Sequence, residues 1–425
     1  FIYLYMKVLI IGSGGREHAL CLSLINSDQI NRVYCAPGNA GTASIAENIS
    51  IEAKDFEKIK QFVKENHVDY VIVGPEQPLV DGIVDYLEQN NIKVFGPNKI
   101  ASQLEGSKTF TKNFCKKYNI PTANFGIYES SEDAKKFLEN CNLPVVIKAD
   151  GLAAGKGVYI CKDKKEAFIA VYEIFDGKFG LAKNILIEEF LDGEEMSFFI
   201  ISDGETYNHF GTAQDHKRVQ EGDKGKNTGG MGAYSPSRLE SVKLNEKIIN
   251  KIIEPTLEGL KKLDTTFKGF LYAGLMIIND EPFLIEYNVR MGDPECQTIL
   301  PKLKTDFAKI MNACVNKNLK SIKLEWYDDK SICIVLCSKG YPDMYQNNIE
   351  IKNLDEIKLN ENEYIFHAGT KNENGKVLSN GGRVLNFVIR SKNFENSRNK
   401  AIDLIKQVNW GNGFYRKDIG FKVIN

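Results

Sequence analysis

Residues 144–158, PVVIKADGLAAGKGV, constrain the fold more than any other stretch of this chain. They read as a buried strand ending in Lys148, a glycine-rich loop carrying Lys156, and a second strand starting at Val158. Gly151, Gly155 and Gly157 let backbone amides approach an anion closely, and the two ammonium groups add charge. The arrangement is not a P-loop. That loop needs four residues between its glycines and a Ser or Thr after its lysine. Here three residues separate Gly151 from Gly155, and Gly157 follows Lys156. The loop also runs into a strand rather than a helix. The expectation is a loop between antiparallel strands that closes over phosphates. The plain alternative is a glycine-rich hairpin with no ligand.

At 425 residues the chain is too long for one ordinary core, and two to four domains are expected. The net charge of −1 supplies no global field to draw in nucleic acid or an anionic membrane. No apolar run reaches the ~18 residues a membrane span needs. Residues 1–5 lack the basic start and long apolar core of a signal peptide. They are expected either to precede a natural start at Met6 or to extend the first strand. The nine cysteines are scattered without a Cys-x-x-Cys, which suits small core residues in a reducing cytosol. The five histidines show no metal-type spacing.

Lys7-Val8-Leu9-Ile10-Ile11 is an apolar strand followed by Gly12-Ser13-Gly14-Gly15-Arg16-Glu17-His18 and a helix expected over 19–25. Strands at 32–35, 70–73 and 93–95 alternate with helices near 55–66 and after Pro78. That alternation predicts a doubly wound parallel sheet. A dinucleotide fingerprint would need glycine where Glu17 stands and an acid after the second strand, where Cys35-Ala36-Pro37 stands. NAD binding is therefore disfavoured, while a phosphate at the helix N-terminus stays open. From Lys108 to about Lys320 the pattern becomes mixed α+β. It has helices at 109–118 and 164–175, strands at 184–191 and 197–201, and a long glycine- and charge-rich loop over 214–236. Long loops inside compact domains are usually functional. From Ser331 onward a third, strand-rich unit follows.

Residues 283–288 read as a strand, so Glu286 and Asn288 share a face. A carboxylate and an amide oxygen two residues apart suit Mg²⁺ held jointly with phosphates. An exposed polar strand face is the plain alternative. Arg290 follows directly, placed to stabilise charge in phosphoryl transfer. Glu188-Glu189-Phe190-Leu191 ends an apolar strand, where backbone and carboxylate suit an adenine edge. Glu194 or Glu195 is placed for ribose hydroxyls. Nothing suggests a Ser-His-Asp or Cys-His arrangement, so a nucleophile is expected from a substrate.

Together, Lys148, the glycine loop, residues 188–191 and Glu286-x-Asn288 resemble an ATP-grasp ligase. Residues 12–19, 36–42, 104–108, 148–158, 214–218, 228–236, 366–370 and 416–420 resemble the phosphoribosylamine–glycine ligase family more closely still. The likeness holds one register from Met6 to about Gly420. It implies an N-terminal doubly wound α/β domain (6–107), a central ATP-grasp α+β domain (108–320, lid about 123–195) and a small β-rich α+β C-terminal domain (329–425). It also implies ATP-driven joining of glycine to 5-phosphoribosylamine through a glycyl phosphate, in purine synthesis, by a cytoplasmic monomer that binds neither nucleic acid nor membrane. Lys108, Lys148, Gly151, Gly155, Lys156, Gly157, Glu188, Glu189, Leu191 and Glu195 would hold ATP. Glu286 and Asn288 would hold Mg²⁺ or Mn²⁺. Lys148 and Arg290 would serve catalysis, Asp215 and Asp293 the glycine ammonium, Gly14, Gly15 and Glu76 phosphoribosylamine, and Gly230 and Arg290 the substrates without further division.

Overall fold

The computed structural model describes residues 5–153 and 156–424. The first strand, β1, spans Met6–Gly12, so Tyr5 does not extend it, and residues 1–4 lie outside the described residues. With β2 (Ile30–Pro37), β3 (Glu47–Asn48), β4 (Tyr70–Val73) and β5 (Val94–Phe95) it forms a parallel sheet of order β3-β2-β1-β4-β5. Strands buried on both faces carry continuous apolar runs, and Val8 to Ile11 are wholly buried. The order reverses at β1, which places a crevice at the carboxyl ends of β1 and β4.

A second, antiparallel sheet is built from β6 (Phe125–Tyr128), β7 (Val145–Ala149), β8 (Val158–Cys161) and β9 (Ile185–Glu189), in the order β6-β9-β7-β8. The expected antiparallel pair around the glycine loop is present, with Lys148 opposite Val158. The helix Lys164–Phe175 packs on this sheet through Ala167, Ala170, Val171 and Ile174, one apolar stripe at helical spacing. Asp163 caps it by accepting from the Glu166 amide at 2.8 Å.

The third sheet crosses from the central region into the C-terminal one. It contains β10 (Glu194–Asp203), β11 (Tyr207–Asp215), β14 (Gly232–Ser235), β15 (Lys268–Ile278), β16 (Glu281–Asn288), β17 (Lys330–Ser338), β18 (Glu363–His367) and β21 (Arg383–Ser391). Their order is β16-β15-β10-β11-β14-β17-β21-β18, and β22 (Gly413–Phe414) pairs with β17. Two hairpins stand apart: β12 (Arg218–Gln220) with β13 (Lys224–Asn227), and β19 (Thr370–Glu373) with β20 (Lys376–Ser379). No helix among the described residues is long and apolar enough to cross a membrane.

Two expectations are corrected. The first helix begins at Gly15, not at 19, so the glycine-arginine string is helical; Glu17 reaches back to the Gly14 amide at 2.7 Å. Residues 214–236 are not an irregular loop. They hold the β12–β13 ribbon, and β14 is a buried strand between β11 and β17. All nine cysteines are free, and Cys333 and Cys337 lie buried in β17 as expected.

Candidate active site

The crevice beside the glycine-rich turn after β1 is occupied by a side chain. Glu17 fills the crevice between β1 and β4, buried and paired with Arg16 at 2.7 Å. A Cβ on Gly74, just after β4, would lie 2.0 Å from its carboxylate. The free N-terminus of this helix is also taken, because the Arg16 amide donates to Asp293 Oδ2 at 3.2 Å. A side-chain carboxylate thus stands where a phosphate had been left open. Gly15 packs against Asn386, Gly230 packs against Pro294, and Gly14 holds Glu17, so these three glycines stand behind the cleft wall.

Glu76 follows β4 and meets Arg290 across the interface between the first and third sheets, with Nε donating to Oε2 at 3.1 Å. The Arg290 guanidinium also donates from Nη2 to Glu105 Oε1 at 2.8 Å and to Asn288 Oδ1 at 3.3 Å. Glu105 accepts the Val289 amide at 2.8 Å through its other oxygen. One buried carboxylate therefore fixes both the strand end and the guanidinium. Burial pushes the Glu105 carboxyl up to about 7 despite Arg290. Arg290 holds Glu76 below the usual carboxylate range. Burial alone would pull Arg290 down, but Glu105 and Glu76 outweigh it and raise it.

The lysines gather on the opposite wall. Glu188 is buried and pairs with Lys148 at 3.0 Å and Lys112 at 3.3 Å. Lys112 also donates to Thr122 Oγ1 at 2.6 Å. Lys108 Nζ donates to the Gly151 carbonyl at 2.7 Å, while Asp150 accepts the Lys108 amide at the start of the helix Lys108–Lys117. Burial pulls both Lys108 and Lys112 down. Two ammonium groups thus share one buried carboxylate, and Lys108 stands beside them without it, leaving a positive excess that suits a polyphosphate. Glu189, which accepts the Asn124 amide at 2.9 Å, and Leu191 line the same cleft. Gly157 is buried behind it, Lys156 is exposed away from it, and Gly155 lies outside the described residues.

Between the two walls is a cleft of about 800 Å³. Glu286 and Asn288 open into it from β16, with Tyr287 turned to the core. The pairing register slips between Gly274 and Leu275, so Gly274 lies opposite Glu286. A Cβ at Gly274 would sit 3.4 Å from Glu286 Cγ, an ordinary contact, so this neighbour does not crowd the carboxylate. Glu286 has no hydrogen-bond or ion-pair partner among the described residues. A lone accessible carboxylate beside an amide oxygen fits a hard divalent cation that also takes phosphate oxygens. No cluster of three or more acidic, His or Cys side chains suited to a metal occurs among the described residues.

At the far end, Asp215 ends β11 and is half-buried. Lys217 pairs with Glu195 at 3.0 Å, and those two carboxylates raise the lysine well above its ordinary value. Burial raises Asp215, with Lys217 opposing. Glu195 is therefore committed to Lys217. Asp293 is held by Gln297 at 2.8 Å and faces Arg383 at 3.6 Å, and Arg383 Nη1 donates to the Gly229 and Asp293 carbonyls. Burial pushes Glu295 up to about 7, with Asp215 adding to it.

Sequence reasoning missed Lys112, Glu105, Glu295 and Arg383. Glu105 sat within the string 104–108, and Glu295 five residues after Arg290, so both carried a positional hint. Lys112 and Arg383 carried none, because their partners are remote in sequence.

Sequence models of the phosphoribosylglycinamide synthetase N domain, ATP-grasp (A) domain and C domain match residues 6–105, 106–296 and 331–422. A phosphoribosylamine–glycine ligase of Agrobacterium fabrum is 47% identical over 420 residues, covering 99% of each chain. That of Brucella melitensis is 44% identical, covering 99% of this chain and 98% of its own. The crystal structure of phosphoribosylamine–glycine ligase from Thermotoga maritima superposes with a TM-score of 0.85 at 34% identity, covering 97% of this chain and all of that one. The N-terminal parallel sheet, central ATP-grasp domain and β-rich C-terminal domain agree with that relative, and the chain belongs to the phosphoribosylglycinamide synthetase family.

Proposed function

We propose that this enzyme joins glycine to 5-phosphoribosylamine with hydrolysis of ATP to ADP and phosphate, giving glycinamide ribonucleotide for purine synthesis. One observation carries the reading. Glu286 and Asn288 share a strand face beside Arg290, opposite Lys108 and Lys148, across a single cleft. Such a site positions and neutralises charge and leaves bond-making to the substrates. A glycine carboxylate oxygen attacks the γ-phosphorus, and the bond to ADP breaks. The phosphoribosylamine nitrogen then attacks the glycyl carbonyl, phosphate leaves, and the nitrogen loses its proton.

Lys108 and Lys148 neutralise ATP, with Gly151, Gly155, Lys156 and Gly157 as the closing loop and Glu188, Glu189 and Leu191 around the nucleoside. Glu188 acts through the lysines it pairs with, while Glu195, committed to Lys217, stands at the acceptor end instead of at the ribose. Glu286 and Asn288 would hold Mg²⁺ or Mn²⁺, which supplies charge neutralisation on the phosphates when bound. Arg290 stabilises the transferring phosphoryl group, oriented by Glu76 and Glu105. Asp215 faces the glycine ammonium, with Asp293 and the backbone at Gly230 behind it. Phosphoribosylamine sits at the mouth of the first sheet beside Glu76, with Gly14 and Gly15 supporting that wall from behind. The working units are 6–107, 108–320 with a lid at about 123–195, and 329–425, in a cytoplasmic monomer. The test is ADP release with glycine and freshly made phosphoribosylamine, with the product identified by mass. ADP release that does not require glycine, or a product of another mass, overturns the proposal.

A further inference from the structure

The string 416–420 has no part in the chemistry above, yet Arg416 is among the largest fully buried side chains, 1% exposed. A buried guanidinium far from the reacting groups needs a reason, since leaving water is costly unless every donor is engaged. Arg416 grips Asp418 with a two-pronged contact, Nε to Oδ1 at 2.8 Å and Nη2 to Oδ2 at 2.7 Å. Its remaining nitrogen donates to the Arg218 carbonyl at 3.0 Å and to Asp223 Oδ1 at 2.9 Å. Both targets lie on the β12–β13 ribbon.

Among the described residues, every further hydrogen bond or ion pair from 415–422 to another element goes to the same ribbon or to its root. Asp418 Oδ2 accepts the Gly222 amide at 2.8 Å, and Glu221 accepts the Lys417 amide at 3.1 Å. The Gly420 amide donates to His216 Nε2 at 3.1 Å, and His216 Nδ1 faces Asp223 at 3.3 Å. Lys422 stands 3.8 Å from Asp223. The ribbon itself is short, glycine-containing and outside the large sheet; besides the tail it is held by Lys226, which donates to Asp343 Oδ1 at 2.8 Å, and by Val219 against the core. Both its ends enter the cleft. Lys217 leads in and Thr228 leads out, joined by the Thr228 amide and hydroxyl donating to the Lys217 carbonyl at 2.7 and 2.9 Å. The lysine walls that face the polyphosphate are on other elements and touch none of this.

We propose that residues 415–422 are a latch for the acceptor end of the cleft, in which Arg416 and Asp418 are positioning residues that fix Lys217 and residues 228–230 through the β12–β13 ribbon. The inference rests on the reading above, in which that end binds the amino-acid substrate. Loosening the latch lowers affinity for glycine and leaves the nucleotide side untouched. A general structural brace would not distinguish the two substrates.

The test uses the full chain. Asp418→Asn keeps the side-chain shape and removes the charge of the fork; Arg416→Lys keeps the charge and removes the fork. Both are expected to raise the glycine KM about tenfold with the ATP KM within about twofold, since small misplacements of binding groups are expensive. Hydrogen exchange over 216–230 should accelerate in each variant. Glycine and ATP KM values that rise together, or a ribbon that exchanges as in the parent protein, overturn the latch. If neither variant folds, the parent protein decides. Equal protection of 216–230 and 415–422 supports a single unit, and unequal protection refutes it. A parent protein that releases no ADP with glycine would sink the functional reading, while the exchange comparison still judges the latch.

Discussion

Replacing Glu105 by Gln should lower activity and flatten the dependence of stability on pH. Glu105 binds the Val289 amide and Arg290, both at 2.8 Å, and is buried with Glu76 and Glu286 nearby. Burial, opposed by Arg290, lifts its carboxyl from 4.5 to about 7. At 1.36 kcal/mol per pH unit that rise is worth about 3 kcal/mol. The sign follows from proton binding. Below pH 4.5 the group is protonated in both folded and unfolded chains, and its contribution is intact. As pH climbs through 7 the folded protein must carry the buried charge, and that contribution is lost. Gln cannot titrate, so the loss of about 3 kcal/mol that the parent shows between pH 4.5 and pH 8 should be absent from the variant. Turnover should fall about ten- to a hundredfold, because a charge-assisted hydrogen bond orienting Arg290 is worth about 1.5–3 kcal/mol. Denaturant unfolding of both proteins at several pH values, with ADP release alongside, reads both effects. A stability difference that is flat across pH, or unchanged turnover, would refute the assignment of Glu105 as the buried anchor of Arg290.

Three other outcomes follow from the same geometry. Glu286→Ala should abolish ADP release while thermal unfolding stays near that of the parent, since the carboxylate has no partner among the described residues; activity retained at ordinary magnesium removes it as a metal ligand. Lys148→Ala should weaken nucleotide by about 1.5–3 kcal/mol in titration calorimetry and leave the glycine KM alone, the Glu188 pair at 3.0 Å showing where the ammonium sits; unchanged nucleotide affinity would make the lysine structural. Asp215→Asn should raise the glycine KM roughly ten- to a hundredfold, because a ligand this small binds by its charged ends. An unchanged glycine KM at both low and high salt would strike Asp215 from the site.

What could be read from the chain, and what could not, divides by the reach of the interaction. The first sheet was legible because alternation of apolar strands and helices is a local pattern. Glu286 and Asn288 were legible because a strand's period of two puts them on one face whatever surrounds them. The strands at 218–235 were not. Lys224-Gly225-Lys226-Asn227 has no strand propensity of its own, and Gly232-Ala233-Tyr234-Ser235 becomes a strand by pairing with Gln214 and Asp215 on one side and, about a hundred residues on, with Ser331 to Ile334 on the other. The same division runs through the site. Glu188 reads by itself as a free carboxylate at a strand end, and only the arrival of Lys112 from the helix Lys108–Lys117 turns it into a clamp for two lysines. Arg290 reads as a lone cation after the metal strand. Its orientation is set by Glu76 and Glu105, which come from short helices following β4 and β5 of the first sheet, roughly two hundred residues earlier. The residues that touch phosphate and metal are thus marked by their own chemistry and spacing. The residues that hold them still are ordinary acids and lysines until the sheets meet, which is why a reading of the chain finds the former and passes over the latter.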